Sequence, residues 1–262
     1  MGFVHLHVHS SYSLHAALPT PEAIVEAAHR LEMPAVALTD RDALFGAIKF
    51  LRRAEELGVK PILGLELTLA PSERLRKRHV SEVHLTFLAL NAEGYGKLLR
   101  LATAARTKGK TSGVTWEDVE EELADGAEGL VLLTGDVFGE IPQLLRFGLE
   151  EEAYSRALAY IALFGRENVY VELMDHGNKD ERIVLRPLRE LAEKLNLRRV
   201  VTHDVRYLDP QDARALDVLM ALGAGVRLSD PKRPRLEPEG EYAFFSQKEM
   251  ERRYAFDREA LE

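Results

Sequence analysis

The amino-terminal stretch of the chain, residues 1–15, reads MGFVHLHVHSSYSLH and contains a row of alternating histidines. Successive side chains of a strand point to opposite faces, so the spacing of His5, His7 and His9 predicts a strand with all three imidazoles on one face. Neutral imidazole is the commonest metal ligand in proteins. The row therefore predicts a metal centre, and His15, which follows a short turn, is a further candidate ligand.

The composition is that of a globular chain without disulfides. The 262 residues are 46% hydrophobic, which is enough for one large α/β domain or two small ones. No run of about eighteen apolar residues and no signal peptide is visible, so no membrane partner is expected. Because the chain has no cysteine, a metal must be bound by His, Asp and Glu, and a cytoplasmic location is expected. The net charge of −8 argues against nonspecific coating of nucleic acid, but it does not exclude a nuclease.

Seven short apolar runs alternate with helical patterns along the chain. The runs are residues 3–9, 35–40, 61–69, 83–90, 129–136, 168–174 and 199–204. Nearly continuous apolar runs such as GLVLLTGD are typical of strands buried on both faces of a parallel sheet. The repeated β–α alternation predicts an α/β barrel or a doubly wound sheet.

Six helices are predicted between these runs. The first begins with Thr20 as N-cap and Pro21 at the first helical position. Gly58 is expected to end the second. The other predicted helices cover residues 43–57, 95–106, 116–123, 149–164 and 179–195. Two segments break the alternation, the basic residues 72–79 and the proline-rich, charged residues 228–242; solvated surface is the favoured interpretation and contact with phosphates the alternative.

Polar side chains collect at the ends of the predicted strands. They are Asp40, Arg41, Asp42, Glu66, His84, Glu172, Asp175, His176, His203, Asp204 and Arg206. Each has a structural explanation when taken alone; Asp40, for example, is a plausible helix N-cap. Since barrels and parallel sheets bind ligands at the carboxyl ends of their strands, the set as a whole predicts a metal site.

Six motifs in a fixed order carry a resemblance to a known family. HLHVHSSYS, LTD followed by LFGAIKF, GLEL, HLTFLA, VELMDHG and THDVRYLDPQDA resemble the PHP (polymerase and histidinol phosphatase) domain. The resemblance is strongest to the N-terminal PHP domain of bacterial DNA polymerase III α subunits, including their error-prone relatives. It implies a single domain over residues 1–262 with the fold of a distorted seven-stranded β/α barrel. Residues 228–262 resemble the junction to a polymerase module, and the final DREALE, which lacks a terminal cap, favours a piece of a longer protein.

The same resemblance implies a metal centre at matching positions of this chain. The implied metal ligands are His7, His9, Glu66, His84, His176 and Asp204. Arg41 and Arg206 stand where the family has histidines, and a guanidinium, which is always protonated, cannot bind a metal ion. We therefore expect two divalent ions (zinc, manganese or iron) and the loss of a third. His15, Asp40 and His203 are candidates for an additional site.

Three functions are compatible with such a centre. The first is a phosphoesterase with two metals, in which Glu66 bridges the ions and Arg41 and Arg206 hold a phosphate oxygen; its substrate would be the 3′ end of a DNA strand, as in exonuclease proofreading. The second is an inactive scaffold, in which the arginines pair with nearby acids and the domain binds polymerase or proofreading subunits. The third, a stand-alone small-molecule phosphatase resembling histidinol phosphatase, is disfavoured by the polymerase-like C-terminal segment.

Overall fold

A mixed sheet is the centre of the molecule, which the computed structural model describes for residues 3–108 and 113–261. The strands are β1 (Ala35–Leu38), β2 (Lys60–Leu69), β3 (Val83–Ala89), β4 (Leu130–Leu133), β5 (Val169–Leu173) and β6 (Arg198–Val201). They lie side by side in chain order, and the sheet curls into a half-barrel. β3 is antiparallel to both neighbours, whereas the other pairs are parallel. The α/β class is confirmed, whereas the parallel pairing that the apolar runs predicted is wrong at β3.

Helices follow most strands. The described residues form α1 (Pro21–Arg30), α2 (Ala47–Leu57), α3 (Glu73–Arg76), α4 (Ala92–Thr107), α5 (Trp116–Glu122), α6 (Glu140–Arg146), α7 (Glu150–Phe164), α8 (Lys179–Leu195), α9 (Ala213–Gly223) and α10 (Gln247–Arg253), with 3-10 turns at Arg166–Asn168 and Pro210–Asp212. The Thr20 side chain accepts the amide of Ala23, as expected of an N-cap, and Gly58 ends α2 with a φ of 68°. The sequence did not predict α3, α6, α9 or α10. In the two described ranges no helix has the length and apolar character needed to cross a bilayer.

Residues 3–9 run alongside β1 without forming a regular strand. The amides of Ala37 and Thr39 donate to the carbonyls of His5 and Val8 respectively. The two donors are two residues apart while their acceptors are three apart, so one extra residue interrupts the ladder, as in a bulge. Six strands are therefore found in the described residues, and the seventh strand of the predicted barrel is not confirmed.

The same segment also contacts the residues that follow β6. The His9 amide donates to the Val205 carbonyl over 3.0 Å, and the Val205 amide donates to the His7 carbonyl over 3.1 Å. On its other side, the amino-terminal segment is bound by the Thr39 side chain, whose Oγ1 accepts the Val8 amide over 2.9 Å. The amino-terminal segment thus connects the two outer strands of the sheet and brings its histidines between them.

The C-terminal residues pack into the main hydrophobic core. Met250, Tyr254 and Ala260 are buried there among side chains of the sheet and of helices α4 to α8. The Val201 amide of β6 donates to the Ala260 carbonyl over 2.7 Å. The hydroxyl of Tyr254 accepts the Asp175 amide over 2.7 Å. Residues 243–261 therefore contribute side chains to the hydrophobic core.

Candidate metal centre

The fold brings side chains from distant parts of the chain to one edge of the sheet. His7 and His9 come from the amino-terminal segment, Glu66 from β2, and Asp204 from the residues after β6. His84 is the second residue of β3. Because β3 is antiparallel to β2, that end lies beside Thr68, near the carboxyl end of β2. The reversed strand thus places His84 at the same edge as the other candidates.

Four buried side chains converge on one point, and we call this set, His7, His9, Glu66 and Asp204, the candidate metal centre. Oε2 of Glu66 lies 2.9 Å from Nε2 of His7 and 3.4 Å from Nε2 of His9. One ligand atom from each of these three residues lies within 4.8 Å of the others. Oδ1 of Asp204 lies 3.4 Å from Nε2 of His9. Two nitrogens and two carboxylate oxygens form the donor set that zinc and similar ions accept.

Two atoms at the centre lack any hydrogen-bond partner among the described residues. They are Nε2 of His9 and, nearby, Nδ1 of His84. A buried polar atom without a partner costs about 1–3 kcal/mol, so native structures rarely leave two so close together. A cation at this point would be bound by both of them, and the residues present therefore fit a divalent metal.

Two arginines pair with the carboxylates of the centre. Nε of Arg41 lies 2.5 Å from Oε1 of Glu66, on the oxygen that faces away from the histidine pair. Nε of Arg206 lies 2.6 Å from Oδ1 of Asp204. His84 approaches the same Glu66 oxygen, with Nδ1 at 3.9 Å. Arg41 therefore occupies the oxygen through which Glu66 would reach a second ion beside His84.

The carboxylates of the centre are ionised at neutral pH. Burial raises the pKa of Glu66, but Arg41 and the neighbouring histidines lower it more, so that it lies well below its usual range. Burial likewise raises the pKa of Asp204, and Arg206 outweighs it, giving a pKa of about 2. Both groups are therefore available as anionic ligands.

His9 is held in the neutral form with a lone pair directed at the centre. Burial, together with Arg206, lowers its pKa to about 4. Its Nδ1 lies 3.0 Å from Oγ of Ser13, whose single hydroxyl proton is donated to Asp40 over 2.7 Å. The hydroxyl must therefore accept from His9, which places the proton on Nδ1 and leaves Nε2 unprotonated. That is the tautomer a metal ligand requires.

Asp40 acts through this network and not as a ligand. Its Oδ1 accepts from the Ser10 amide and the Ser13 hydroxyl, and its Oδ2 from the Ser10 hydroxyl, each over 2.7 Å. Both oxygens are thus occupied. The structure does not bring Asp40 to an additional metal site, and its carboxylate instead orients Ser13 beneath His9.

Glu172 was noted at a strand end but given no role from the sequence. It lies buried in β5, where its Oε1 is 3.0 Å from Nδ1 of His7 and accepts from Thr202 Oγ1 over 2.5 Å. Burial lowers the pKa of His7, but Glu172 and Glu66 raise it more, so it lies well above its usual range. A carboxylate on Nδ1 is the usual way to orient a metal-binding histidine. The single acid inside the apolar run VYVEL was the available signal.

Asp136 is a second residue of the site that the sequence motifs do not single out. It follows β4 at the end of the run GLVLLTGD, and it lines the cleft over the centre together with His84, Asp204 and Arg206. Burial raises its pKa to about 6, and the nearby His84 opposes the shift. Asp136 thus places a further buried carboxylate in the cleft that His84 lines.

Two of the predicted histidines contact each other instead of joining the centre. Nδ1 of His176 lies 2.7 Å from Oε1 of Glu181, and Nε2 accepts the Asp204 amide over 3.2 Å. With both nitrogens engaged, His176 has no lone pair to offer unless that amide bond breaks. The His203 ring stacks on it at 4.2 Å and is buried outside the centre.

The remaining histidines of the opening stretch lie elsewhere. His5 is buried but turned to the C-terminal segment, where its Nε2 bonds the Phe245 carbonyl and its ring packs on Phe244. His15 is exposed, has a φ of 61° and lies against Gly223 of α9. Of the predicted histidine row, only His7 and His9 thus reach the candidate metal centre.

Known proteins resemble this chain in sequence over nearly its whole length. The profile of the PHP domain matches residues 5–176. DNA polymerase III subunit alpha of Treponema pallidum is 39% identical over 252 residues, which cover 95% of this chain and 21% of that protein. The same subunit of Saccharopolyspora erythraea is 35% identical over 263 residues, with 92% and 22% covered. This chain therefore spans about a fifth of the length of the curated relatives it matches.

Among solved structures, a two-domain protein from Bacteroides vulgatus, described as containing a predicted PHP-like metal-dependent phosphoesterase, is similar. It has a TM-score of 0.49 and 14% identity, over 95% of this chain and 62% of the other.

Proposed function

The chain belongs to the PHP domain family, and on that basis we propose that it binds divalent metal ions at the candidate metal centre and hydrolyses phosphoesters there. The observation that carries the proposal is the convergence of His7, His9, Glu66 and Asp204, where Nε2 of His9 has no hydrogen-bond partner among the described residues. Given its DNA polymerase III α relatives, we take the substrate to be the 3′ end of a DNA strand and the setting to be a cytoplasmic polymerase with proofreading partners.

The chain's own residues prepare the centre for this chemistry. A bound divalent ion would polarise a phosphate oxygen and lower the pKa of a water molecule. Glu66 and Asp204 supply the anionic ligands, and His9 supplies a fixed lone pair. Arg41 and Arg206 keep positive charge beside the centre, where a guanidinium fork suits a non-bridging phosphate oxygen.

We propose two ions at most. The first is held by the candidate metal centre itself. The second would lie between Oε1 of Glu66, His84 and Asp136, and it requires Arg41 to release the Glu66 oxygen that it contacts at 2.5 Å. In the family pattern the third ion depends on the positions of Arg41 and Arg206, so we propose that it is lost.

An inactive scaffold is the second candidate, and one observation favours it. Arg41 and Arg206 already neutralise Glu66 and Asp204 through close pairs of 2.5 and 2.6 Å. Without metal, each guanidinium compensates a carboxylate that would otherwise be buried with an unpaired charge, and it competes with an ion for the same oxygens. In that case the domain supports the polymerase and binds partner subunits without catalysing hydrolysis.

Metal content and phosphodiester hydrolysis separate the two candidates. The protein is purified without chelator or histidine tag, reconstituted with zinc, manganese or iron, and analysed for metal per chain. It is then assayed on bis-p-nitrophenyl phosphate and on a labelled DNA strand. Bound metal and hydrolysis that both disappear in Glu66→Gln support the phosphoesterase. Absence of metal after reconstitution contradicts it and leaves the scaffold.

Replacing Arg41 tests whether it stands in for a ligand. Arg41→His frees Oε1 of Glu66 and adds an imidazole, so we expect the metal content to rise by about one ion per chain. Elemental analysis of both proteins gives the result, with Arg52→His on the exposed face of α2 as the control. An unchanged content would contradict the idea that Arg41 replaced a metal ligand.

A further inference from the structure

A second hollow lies beside the cleft of the candidate metal centre. The cleft has a volume of about 320 Å³ and the hollow about 340 Å³. Met220 of α9 and the neighbouring residues Arg235 and Leu236 line both spaces. These three side chains therefore form a shared wall, and a molecule longer than a single phosphate group can extend from one space into the other.

The lining of the hollow suits a nucleoside better than a phosphate. Met220 and Leu236 give it an apolar surface, backed by the almost fully buried Tyr207 and Leu216. The carboxylates of Asp217, Glu237 and Glu239 also line it, and they disfavour a phosphate group inside the hollow itself, away from the shared wall. Contact of Met220 and Leu236 with the flat face of a nucleobase would remove apolar surface from water, which favours binding.

Arg235 is the arginine of the shared wall that is free to exchange its partner. Its guanidinium pairs with Glu237, and the two side chains are 45% and 61% exposed. Exposed pairs of this kind contribute little to stability, so a phosphate can replace the glutamate at small cost. Arg41 and Arg206 instead pair with the buried carboxylates of Glu66 and Asp204 and lie at the phosphate placed at the candidate metal centre, so neither is available for the adjacent one.

The segment that carries Arg235 is fixed on both sides. Before it, Arg233 makes two bonds of 2.8 Å to Asp217 of α9. After it, the Tyr242 ring stacks on His176 with centroids 4.2 Å apart, and its hydroxyl donates to the Glu237 carbonyl over 3.2 Å. Arg235 thus projects from a supported segment, which favours a defined contact over a loose surface charge.

We propose that the hollow is a nucleoside subsite and that Arg235 binds the phosphate adjacent to the one placed at the candidate metal centre. The ligand class is single-stranded polynucleotide, and the contact selects it over small phosphate esters. This inference rests on the proposed function, because it takes the cleft as the place of the scissile phosphate. It also assigns to residues 228–242 the phosphate contact that their sequence left as an alternative to solvated surface.

Binding without turnover tests the proposal. Anisotropy of a fluorescein-labelled single-stranded oligodeoxynucleotide is measured in chelator for the full chain, Arg235→Ala, Arg235→Lys and Arg186→Ala. Arg186 is a matched control, because it is an exposed arginine paired with a glutamate, on α8 and away from both spaces. We expect Arg235→Ala to weaken binding about tenfold and to reduce the salt dependence by about 0.7 in log–log slope. Arg235→Lys should restore part of the affinity, and Arg186→Ala should bind as the unaltered chain does.

Equal affinity of Arg235→Ala and the unaltered chain would overturn the subsite, as would failure of the unaltered chain to bind the oligonucleotide. Neither result depends on hydrolysis. The proposed function is judged separately, by cleavage of bis-p-nitrophenyl phosphate in the metal-loaded protein. A protein that cleaves this small diester but does not use Arg235 for the oligonucleotide therefore retains the proposed function and loses the subsite.

Discussion

His7 and His9 are oriented by different partners for the same purpose. Glu172 lies on Nδ1 of His7 at 3.0 Å, and the Ser13 hydroxyl lies on Nδ1 of His9 at 3.0 Å. Each partner turns the opposite nitrogen toward Glu66. The charged partner leaves His7 with a raised pKa, whereas burial beside Arg206 lowers that of His9. The two imidazoles are therefore similar in geometry and different in basicity.

Removing the charge on Glu172 should weaken metal binding. Glu172→Gln keeps the shape of the side chain but removes the anion that accepts from His7. Loss of such an orienting carboxylate typically lowers metal affinity about 10–100-fold. Competition with a chromogenic chelator measures the effect. Glu190→Gln, an exposed glutamate of α8, is the control, and an unchanged affinity in Glu172→Gln would show that His7 needs no anionic support.

The metal-free protein should be destabilised by Asp136 in a pH-dependent way. Its pKa is raised by burial from 3.8 to about 6 in the folded state, so folding retains a proton that the unfolded chain releases. The cost is absent below about pH 4, grows as the pH rises, and is complete above about pH 6. In chelator, Asp136→Asn should therefore raise the free energy of unfolding by about 1–3 kcal/mol at pH 7 and by almost nothing at pH 4. Chemical denaturation at the two pH values provides the test, and an equal gain at both would contradict this assignment.

The sequence identified the acids and histidines of the centre better than it identified their supporting residues. His7, His9, Glu66 and Asp204 were selected from strand-end positions and motif matches. Asp136 and the orienting role of Glu172 depend on burial and on contacts between distant strands, which local spacing does not encode. His176 was selected by its position, but contacts with Glu181 and the Asp204 amide occupy both of its nitrogens.

At the scale of elements, the Thr39 side chain holds the amino-terminal segment at the point where regular backbone pairing with β1 is interrupted. Thr39 Oγ1 accepts the Val8 amide and donates to the Val8 carbonyl, over 2.9 and 3.2 Å. The irregular register next to β1 would otherwise leave that buried amide without a partner. Thr39 thus holds the backbone that presents His7 and His9.

Thr39→Val should destabilise the fold with little change of shape. The buried Val8 amide loses its acceptor, which costs about 1–3 kcal/mol. Urea denaturation measures the difference in the free energy of unfolding. Thr103→Val, an exposed residue of α4 whose hydroxyl bonds only a helical carbonyl, should change it by less than about 0.5 kcal/mol. Equal effects of the two variants would mean that Val8 is satisfied in another way.

Element boundaries were predicted where the chain carries strong local signals. Thr20, Pro21 and Gly58 fixed the ends of α1 and α2 through capping and backbone conformation. The direction of β3 was not predictable, because a buried run such as VHLTFLA has the same composition in either direction. That direction is nevertheless what places His84 at the edge where the centre lies.

At the scale of the molecule, the C-terminal segment belongs to the core. Tyr254 is fully buried and bonds the Asp175 amide. Tyr254→Ala should therefore lower the free energy of unfolding by about 3–5 kcal/mol. Phe256→Ala, two residues away and 43% exposed, is the matched control and should cost far less. Denaturation curves that coincide for the two variants would show that residues 243–261 contribute little to the stability of the domain.

The bonds of the amino-terminal segment to Val205 also set an order of events during synthesis. His7 and His9 leave the ribosome first, yet the residues that complete their backbone pairing and supply Asp204 follow roughly two hundred residues later. At translation rates of about 5–20 residues per second that interval is on the order of tens of seconds. During this time the nascent site lacks Asp204, so any metal ion captured early would be bound by His7, His9 and Glu66 alone.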